Sequence, residues 1–400
     1  MSSTSFRCIY RDHDATLGER TLEHVWPDRL GGELCPDFFK TRDVCRRCNS
    51  LSGRYVDGEF IRSFFNGVEQ ISAALAWLDT SQPRPLPCVY MGVNRAQPPD
   101  AREVCEAWTG PRGERIFYFR DSDDDHFTGF ARGDPLRRRH DPGRVYLSFS
   151  RANMFWVATA ILSVRKTFPR AEFRLLTRTD SPEINAGCAA ETEQSACDRA
   201  YIAPLLAERS ANVTLSMFVD HGTRFQAKLA IGFGHTLFGP AFARLPYTER
   251  LRSYLWERDA SQRADIDLRG TPLLGGERAI DEQLLPWPSA TTFVFFRDSM
   301  SVMSMIYGPS GRALRTVIAA DGKAAALGSP VFEIHGNSFV VILVPGRSQC
   351  CGPYPLMRYI MHRTGGPPID ELTALTASHR TIAAIERVVA HLEIQQPTGI

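Results

Sequence analysis

Apolar residues recur at helical spacing in some stretches of this 400-residue chain and form short β-type runs in others. Helical spacing predicts helices at residues 58–79, 153–167, 200–209, 226–233, 248–257 and 370–394. Short apolar runs bounded by turn residues predict strands at 145–149, 171–177, 213–219, 291–296, 301–307, 330–334 and 338–344, and a hairpin of 104–108 with 115–119. The polar, turn-rich segment 122–144 is expected to be a surface loop. The mixture predicts an α+β fold.

Cysteine and proline are distributed unevenly, and this predicts three parts. Residues 1–65 are rich in cysteine, charge and glycine, and a module this small usually needs a staple such as zinc. Residues 66–100 are expected to be the rest of a helix followed by a Pro-rich linker. Residues 101–400 are long enough for a core of their own and are expected to form a mixed α/β recognition or regulatory region of unassigned fold.

Composition narrows the class of protein. Hydrophobic residues at 43% and charged residues at 23% are typical of a globular chain. The net charge is only +2, so any nucleic-acid site must be a local basic patch. No apolar leader precedes Cys8, and the longest apolar run is shorter than the ~20 residues that cross a bilayer. The chain is therefore expected to be cytoplasmic, with no membrane partner.

Four of the ten cysteines lie within residues 8–48, which suggests a metal site in a cytosolic protein. Cys45 and Cys48 are three apart, and such a pair can hold one tetrahedral Zn²⁺. Cys8 is a candidate third thiolate. The fourth ligand is left open by the spacing, with His13 ranked ahead of Cys35, and with Asp12 or water as the other candidates.

A second cluster lies between the cysteines. Glu23 and His24 precede Pro27 and a Gly-Gly pair, a pattern that suits a bent hairpin aiming both side chains at one spot. A carboxylate is a preferred ligand of Mg²⁺, and a neutral histidine beside it can take a proton from water. Asn49, directly after Cys48, supplies a further oxygen ligand for a hard cation.

In this order the residues resemble the HNH endonuclease family, in the branch with zinc-binding cysteines. The resemblance covers about the first 60 residues and rests on Cys8, Glu23, His24, Pro27, Gly31, Gly32, Cys45, Cys48, Asn49, Gly53, Val56 and Asp57. It implies a ββα-metal module in which His24 is the general base. Glu23 and Asn49 would hold a catalytic Mg²⁺ or Mn²⁺, and the reaction would be hydrolysis of a phosphodiester bond in DNA.

Two features depart from the family pattern. The asparagine that orients the base histidine is missing from residues 40–42, so Thr41 or a backbone carbonyl would have to replace it. Arg11 stands where a second Cys-x-x-Cys pair would need cysteine. Among the basic residues of the module, Arg46 and Arg47 are the expected phosphate contacts because they flank the metal ligands.

These observations favour a metal-dependent endonuclease with a role in bacterial restriction or phage defence. One alternative is a zinc-stapled nucleic-acid-binding protein without cleavage activity. The other is a nuclease gated by a small-molecule activator that residues 101–400 sense. A single site cuts one strand at a time, so double-strand breaks would predict a homodimer.

Overall fold

The computed structural model describes residues 5–62, 64–122, 142–149, 154–177, 185, 187–207, 212–214, 219–257, 259–263, 266, 286–306, 312–318 and 326–395. Most of the predicted surface loop, residues 123–141, lies outside them. Residues within 1–61 and 218–379 cluster as one unit, and residues within 62–128, 132–217 and 380–400 cluster as a second. Helices and sheets occur in both units, which confirms the predicted α+β class.

The first unit begins with two small hairpins and a helix. Strands β1 (Ser5–Cys8) and β2 (His13–Thr16) pair so that Cys8 faces His13 across the hairpin. Strands β3 (Arg20–His24) and β4 (Lys40–Cys45) are also antiparallel. Helix α1 (Arg46–Ser52) follows β4 directly and continues through a wider turn at residues 53–57 into α2 (Gly58–Arg62).

The rest of the first unit is a helical pair and an antiparallel sheet. Helices α6 (Val219–Phe238) and α7 (Pro246–Trp256) pack on each other. The sheet has the order β13–β12–β11–β14–β15. Its elements, with the helices that follow or interrupt it, are β11 (Thr291–Phe296), β12 (Ser301–Ile306), β13 (Arg312–Val317), α8 (Pro330–His335), β14 (Ser338–Val344), β15 (Gln349–Pro355), α9 (Leu356–Arg363) and α10 (Asp370–Ser378).

Aromatic side chains join the small hairpins to this sheet and to α6. Trp26 is fully buried and makes edge contacts with Phe225 and Phe293, at centroid distances of 5.7 and 4.9 Å. Phe39 makes the same kind of contact with Phe233 and Phe293, both at 5.0 Å. Large aromatic rings dominate core energetics because they bury large apolar areas, so the first 61 residues share one core with α6 and the sheet.

The second unit is built on a six-stranded mixed sheet of order β10–β5–β6–β7–β8–β9. Successive side chains of β7 point to opposite faces, and both faces are buried: one against α4, the other against α5. This explains the continuous apolar run of β7. The unit comprises α3 (Phe64–Ala76), β5 (Val89–Asn94), β6 (Glu103–Thr109), β7 (Arg115–Asp121), β8 (Gly143–Ser148), α4 (Met154–Thr167), β9 (Ala171–Leu175), α5 (Glu193–Ala207), β10 (Val213–Thr214) and α11 (Ile382–Gln395).

Two predicted strands are wrong. Residues 330–334 are helical because Pro330 suits a first helical turn and Ser329 Oγ caps it, accepting from the backbone N–H of Phe332. Of the strand predicted at 213–219, only Val213–Thr214 forms, because α6 already begins at Val219. Within the described residues, none of the helices is both long enough and apolar enough to cross a membrane.

Candidate metal centre and catalytic residues

Three cysteines and one histidine converge where the two small hairpins meet α1. The ligand atoms of Cys8, His13, Cys45 and Cys48 all lie within 4.8 Å of one another. The hairpin register places Cys8 opposite His13, and the short link from β4 to α1 places Cys48 one turn after Cys45. The Cys45 sulfur also accepts from the backbone N–H of Cys48 at 3.4 Å, so it caps α1 as well.

The donor set and spacing fit zinc. His13 Nε2 lies 3.5 Å from Cys45 Sγ, which is about the separation that tetrahedral zinc bonds of ~2.0 Å to nitrogen and ~2.3 Å to sulfur produce. A hydrogen bond from the thiol of Cys48 lowers the pKa of Cys8 to about 5, and the same contact raises the pKa of Cys48. Zinc binds the thiolate form, so a low thiol pKa in the cluster favours the metal.

The other candidates for the fourth ligand lie elsewhere. Cys35 is buried beside the carbonyl oxygen of Gly31, and its contact with the thiol of Cys350 raises its pKa. Asp12 pairs with the guanidinium of Arg7. Arg11 stacks on the ring of Trp256 at 4.5 Å. Of the four candidates, therefore, His13 is the side chain that the fold brings to the three cysteines.

Glu23 points into the protein and is only 3% exposed. Its Oε1 lies 2.8 Å from Lys228 Nζ and accepts a hydrogen bond from the hydroxyl of Tyr10 at 2.9 Å. Lys228, on α6, is itself fully buried and also pairs with Asp57 Oδ2 at 2.6 Å. Burial opposes the charge of Lys228, but Asp57 and Glu23 outweigh it and raise its pKa. Burial raises the pKa of Asp57 to about 6, although Lys228 opposes this.

His24 lies on the opposite face of β3, because successive strand residues alternate between faces. Its side chain is 20% exposed, and its Nδ1 lies 3.9 Å from Asp28 Oδ1. Lys40 is its partner across the hairpin, whereas Thr41 is the partner of Glu23. The carboxylate of Asp28, rather than the hydroxyl of Thr41, is therefore the side chain placed to orient the imidazole.

Asn49 braces β3 from the first turns of α1. Its Nδ2 donates to the backbone oxygen of Leu22 at 2.9 Å and to Thr21 Oγ1 at 3.4 Å. The amide is thus fixed one residue from Glu23 along the strand, with its Oδ1 left to accept from water or an ion. Arg46 and Arg47 are both exposed on the same helix, beside the cysteine cluster.

Sequence reasoning missed Lys228, Tyr10 and Asp28 as parts of this region. For Lys228 a signal was present: it is one of only four lysines, and it interrupts an apolar helical run, where an unpaired charge would be costly. Nothing in the sequence said which carboxylates would pair with it, since Glu23 is 205 positions away, the difference between 228 and 23.

Residues 8–65 match the family model described as HNH endonuclease. The matched segment contains the cysteine–histidine cluster, both strands of the second hairpin and α1, so the predicted resemblance is confirmed over that part of the chain. No curated protein and no solved structure has detectable similarity to the chain.

Proposed function

We propose that this protein is a metal-dependent HNH-type endonuclease that hydrolyses phosphodiester bonds in DNA. The observation that carries the proposal is the family match over residues 8–65, which includes a half-exposed histidine beside a carboxylate on β3. The proposed roles are His24 as general base, with Glu23 and Asn49 as ligands of a catalytic Mg²⁺ or Mn²⁺. Cys8, His13, Cys45 and Cys48 would hold a structural Zn²⁺.

The donor atoms fit a hard divalent cation. A carboxylate and an amide oxygen are the ligand types that Mg²⁺ and Mn²⁺ take, and Glu23 and Asn49 supply them from β3 and α1. When bound, such an ion stabilises negative charge on the phosphate and on the leaving oxygen. The pairing of Glu23 with Lys228 is the feature that this assignment has to accommodate.

The protein side chains would prepare the attacking water and hold the substrate. A hydrogen bond or ion pair from Asp28 to Nδ1 favours the tautomer in which Nε2 of His24 is the base, and Nε2 then accepts the proton of the water. Arg46 and Arg47 would contact phosphate oxygens on either side of the cut and so set the register of the strand without reading its sequence.

Cleavage of supercoiled plasmid with Mg²⁺ or Mn²⁺ tests the proposal. We expect nicking by the zinc-loaded protein, a loss of on the order of a hundredfold or more in the His24→Ala variant, and no loss in His391→Ala, which removes an exposed histidine. Single-stranded and double-stranded RNA run beside the plasmid would identify the preferred substrate. Equal activity of His24→Ala and the unaltered protein would overturn the assignment of the base.

A zinc-stapled protein that binds nucleic acid without cutting it is the second candidate, and the burial of Glu23 against Lys228 favours it. DNA retention by the zinc-loaded protein with no cleavage under any divalent ion would support this candidate. A role in restriction or phage defence, a small-molecule activator and a homodimer for double-strand cleavage remain part of the first proposal. Linearisation of plasmid in one step by a monomer would contradict the dimer.

A further inference from the structure

One buried cluster stands out because it unites three charged side chains with no water-exposed route for their charge. Lys228 Nζ lies between Glu23 Oε1 at 2.8 Å and Asp57 Oδ2 at 2.6 Å. The exposed fractions are 0% for Lys228, 3% for Glu23 and 8% for Asp57. Buried charges are retained only when they are paired, so the ammonium is what allows the two carboxylates to stay inside.

The pairing is incomplete in two ways. Two ionised carboxylates and one ammonium leave one negative charge in the cluster. Among the described residues, moreover, Asp57 Oδ1 is buried without a hydrogen-bond partner. A buried carboxylate oxygen with no donor is costly, and it is an atom that a cation can satisfy. A divalent ion in place of the ammonium would balance both charges and engage this oxygen.

We propose that the Lys228 ammonium occupies the position of a divalent cation between Glu23 and Asp57, and that metal binding at Glu23 requires Lys228 to leave. Asp57 is then a second carboxylate ligand of the same ion. This inference rests on the proposed function, because it concerns the metal that the nuclease reaction would use. Lys228 remains protonated throughout and exchanges its two carboxylate partners for solvent or other acceptors.

The consequence is regulatory. Lys228 is carried by α6, which packs on Val25, the residue after His24, so displacement of Lys228 requires movement of a helix that contacts the catalytic strand. A protein held in the described arrangement would have little affinity for Mg²⁺ or Mn²⁺ at Glu23. Any event that shifts α6 would raise that affinity and switch on cleavage.

Mn²⁺ binding to the zinc-loaded protein, followed by electron paramagnetic resonance, tests the competition directly. We expect Lys228→Met, which keeps the length of the side chain and removes its charge, to bind Mn²⁺ more tightly by on the order of a hundredfold. Lys166→Met removes the same charge from an exposed helical position and should leave the affinity unchanged. An unchanged or weaker affinity in folded Lys228→Met would overturn the proposal.

A second measurement uses the unaltered protein, so it does not depend on the folding of the variant. Reductive methylation followed by mass spectrometry reports the accessibility of each of the four lysines. Without Mn²⁺, Lys228 should be protected and exposed Lys166 modified; with saturating Mn²⁺, modification of Lys228 should rise several-fold while Lys166 stays constant. Continued protection of Lys228 under saturating Mn²⁺ would overturn the proposal.

The two proposals fail in different ways. Tighter Mn²⁺ binding by Lys228→Met with no cleavage by any form of the protein would leave the cation site standing and remove the nuclease. Cleavage by the unaltered protein, with Lys228 still protected from methylation and Mn²⁺ affinity insensitive to Lys228→Met, would leave the nuclease standing and remove the exchange.

Discussion

At the scale of single residues, adjacent positions on β3 have opposite environments. Glu23 is buried and ion-paired, whereas His24 is partly exposed beside Asp28. The sequence pattern suggested that the pair would aim at one spot, but the two-residue period of a strand sends neighbours to opposite faces. The acid closest to the imidazole is therefore one that the motif did not include.

Asp28→Asn tests whether this acid positions His24. The substitution keeps the size of the side chain and removes the charge near Nδ1, so we expect kcat for plasmid nicking to fall on the order of tenfold while KM is unchanged. Asp37→Asn, an exposed acid in the same inter-strand segment, is the matched control. A fall in KM alone, or an equal effect of Asp37→Asn, would argue against a positioning role.

His235 provides a prediction about pH. Burial lowers its pKa below the ordinary value of 6.5, against the opposing effect of Asp43, whose Oδ2 lies 3.0 Å from Nε2; the charge of Arg252 lowers it further. The unfolded chain therefore binds the proton more readily, and the stability that His235 contributes is lost as the pH falls below 6.5. A ¹³C-histidine titration should give a midpoint below 6.5, and Asp43→Asn should lower it again. A midpoint above 6.5 would contradict this account.

At the scale of elements, α6 shows how glycine can act inside a helix. The sequence pattern ended a helix at residue 233 because Gly232 and Gly234 suggested a turn, but α6 continues to Phe238. A Cβ on Gly232 would come within 2.7 Å of Val25, and one on Gly234 within 2.1 Å of Phe242. Both glycines therefore allow close packing, and this need is invisible in a local pattern.

Gly232→Ala should consequently destabilise the protein. Alanine favours a helix by about 1 kcal/mol over glycine, but here Val25 is fully buried and β-branched and has little room to move. Gly53→Ala is the control, since it makes the same change in a helical backbone with nothing within 4 Å. Thermal unfolding should show a lower Tm for Gly232→Ala and an equal or higher Tm for Gly53→Ala; equal shifts in both would refute the packing argument.

Local patterns predicted elements well where periodicity was strong. The hairpin of β6 and β7, helix α4 and strands β11, β12 and β14 form where expected. Strands β13 and β15 were missed because Arg312, Arg315 and the Gly352–Pro353 pair interrupt their apolar pattern. The metal cluster could be anticipated because cysteine spacing carries the chemistry, whereas the partners of Glu23 depend on contacts distant in sequence.

At the scale of the whole molecule, the chain returns to its beginning. The sequence suggests a module, a linker and a separate region, yet residues 1–61 cluster with 218–379. Arg252 and Trp256 of α7 donate to the backbone oxygens of Ile9 and Tyr10, at 2.8 and 2.7 Å. Backbone acceptors leave no trace in residue identity, so no reading of the sequence could have shown this return.

Zinc should be required for the order of this unit. We expect one zinc per chain by elemental analysis, and loss of it in Cys48→Ser, because a tetrahedral site deprived of one thiolate binds far more weakly. Cys197→Ser, an exposed cysteine outside the cluster, should keep its zinc. Chelation should lower the Tm of the unaltered protein but not that of Cys48→Ser; a protein whose Tm ignores chelation would not be stapled by zinc.

The burial of Trp26 and Phe39 against α6 and the sheet limits how this nuclease segment can be transplanted. A cassette cut after residue 65 would leave both rings facing water and would lose the donors that hold residues 9 and 10. Chimeric nucleases made from it would need residues 218–379 as scaffold. Evolution faces the same restriction, so gene shuffling that separates the two segments should yield insoluble products.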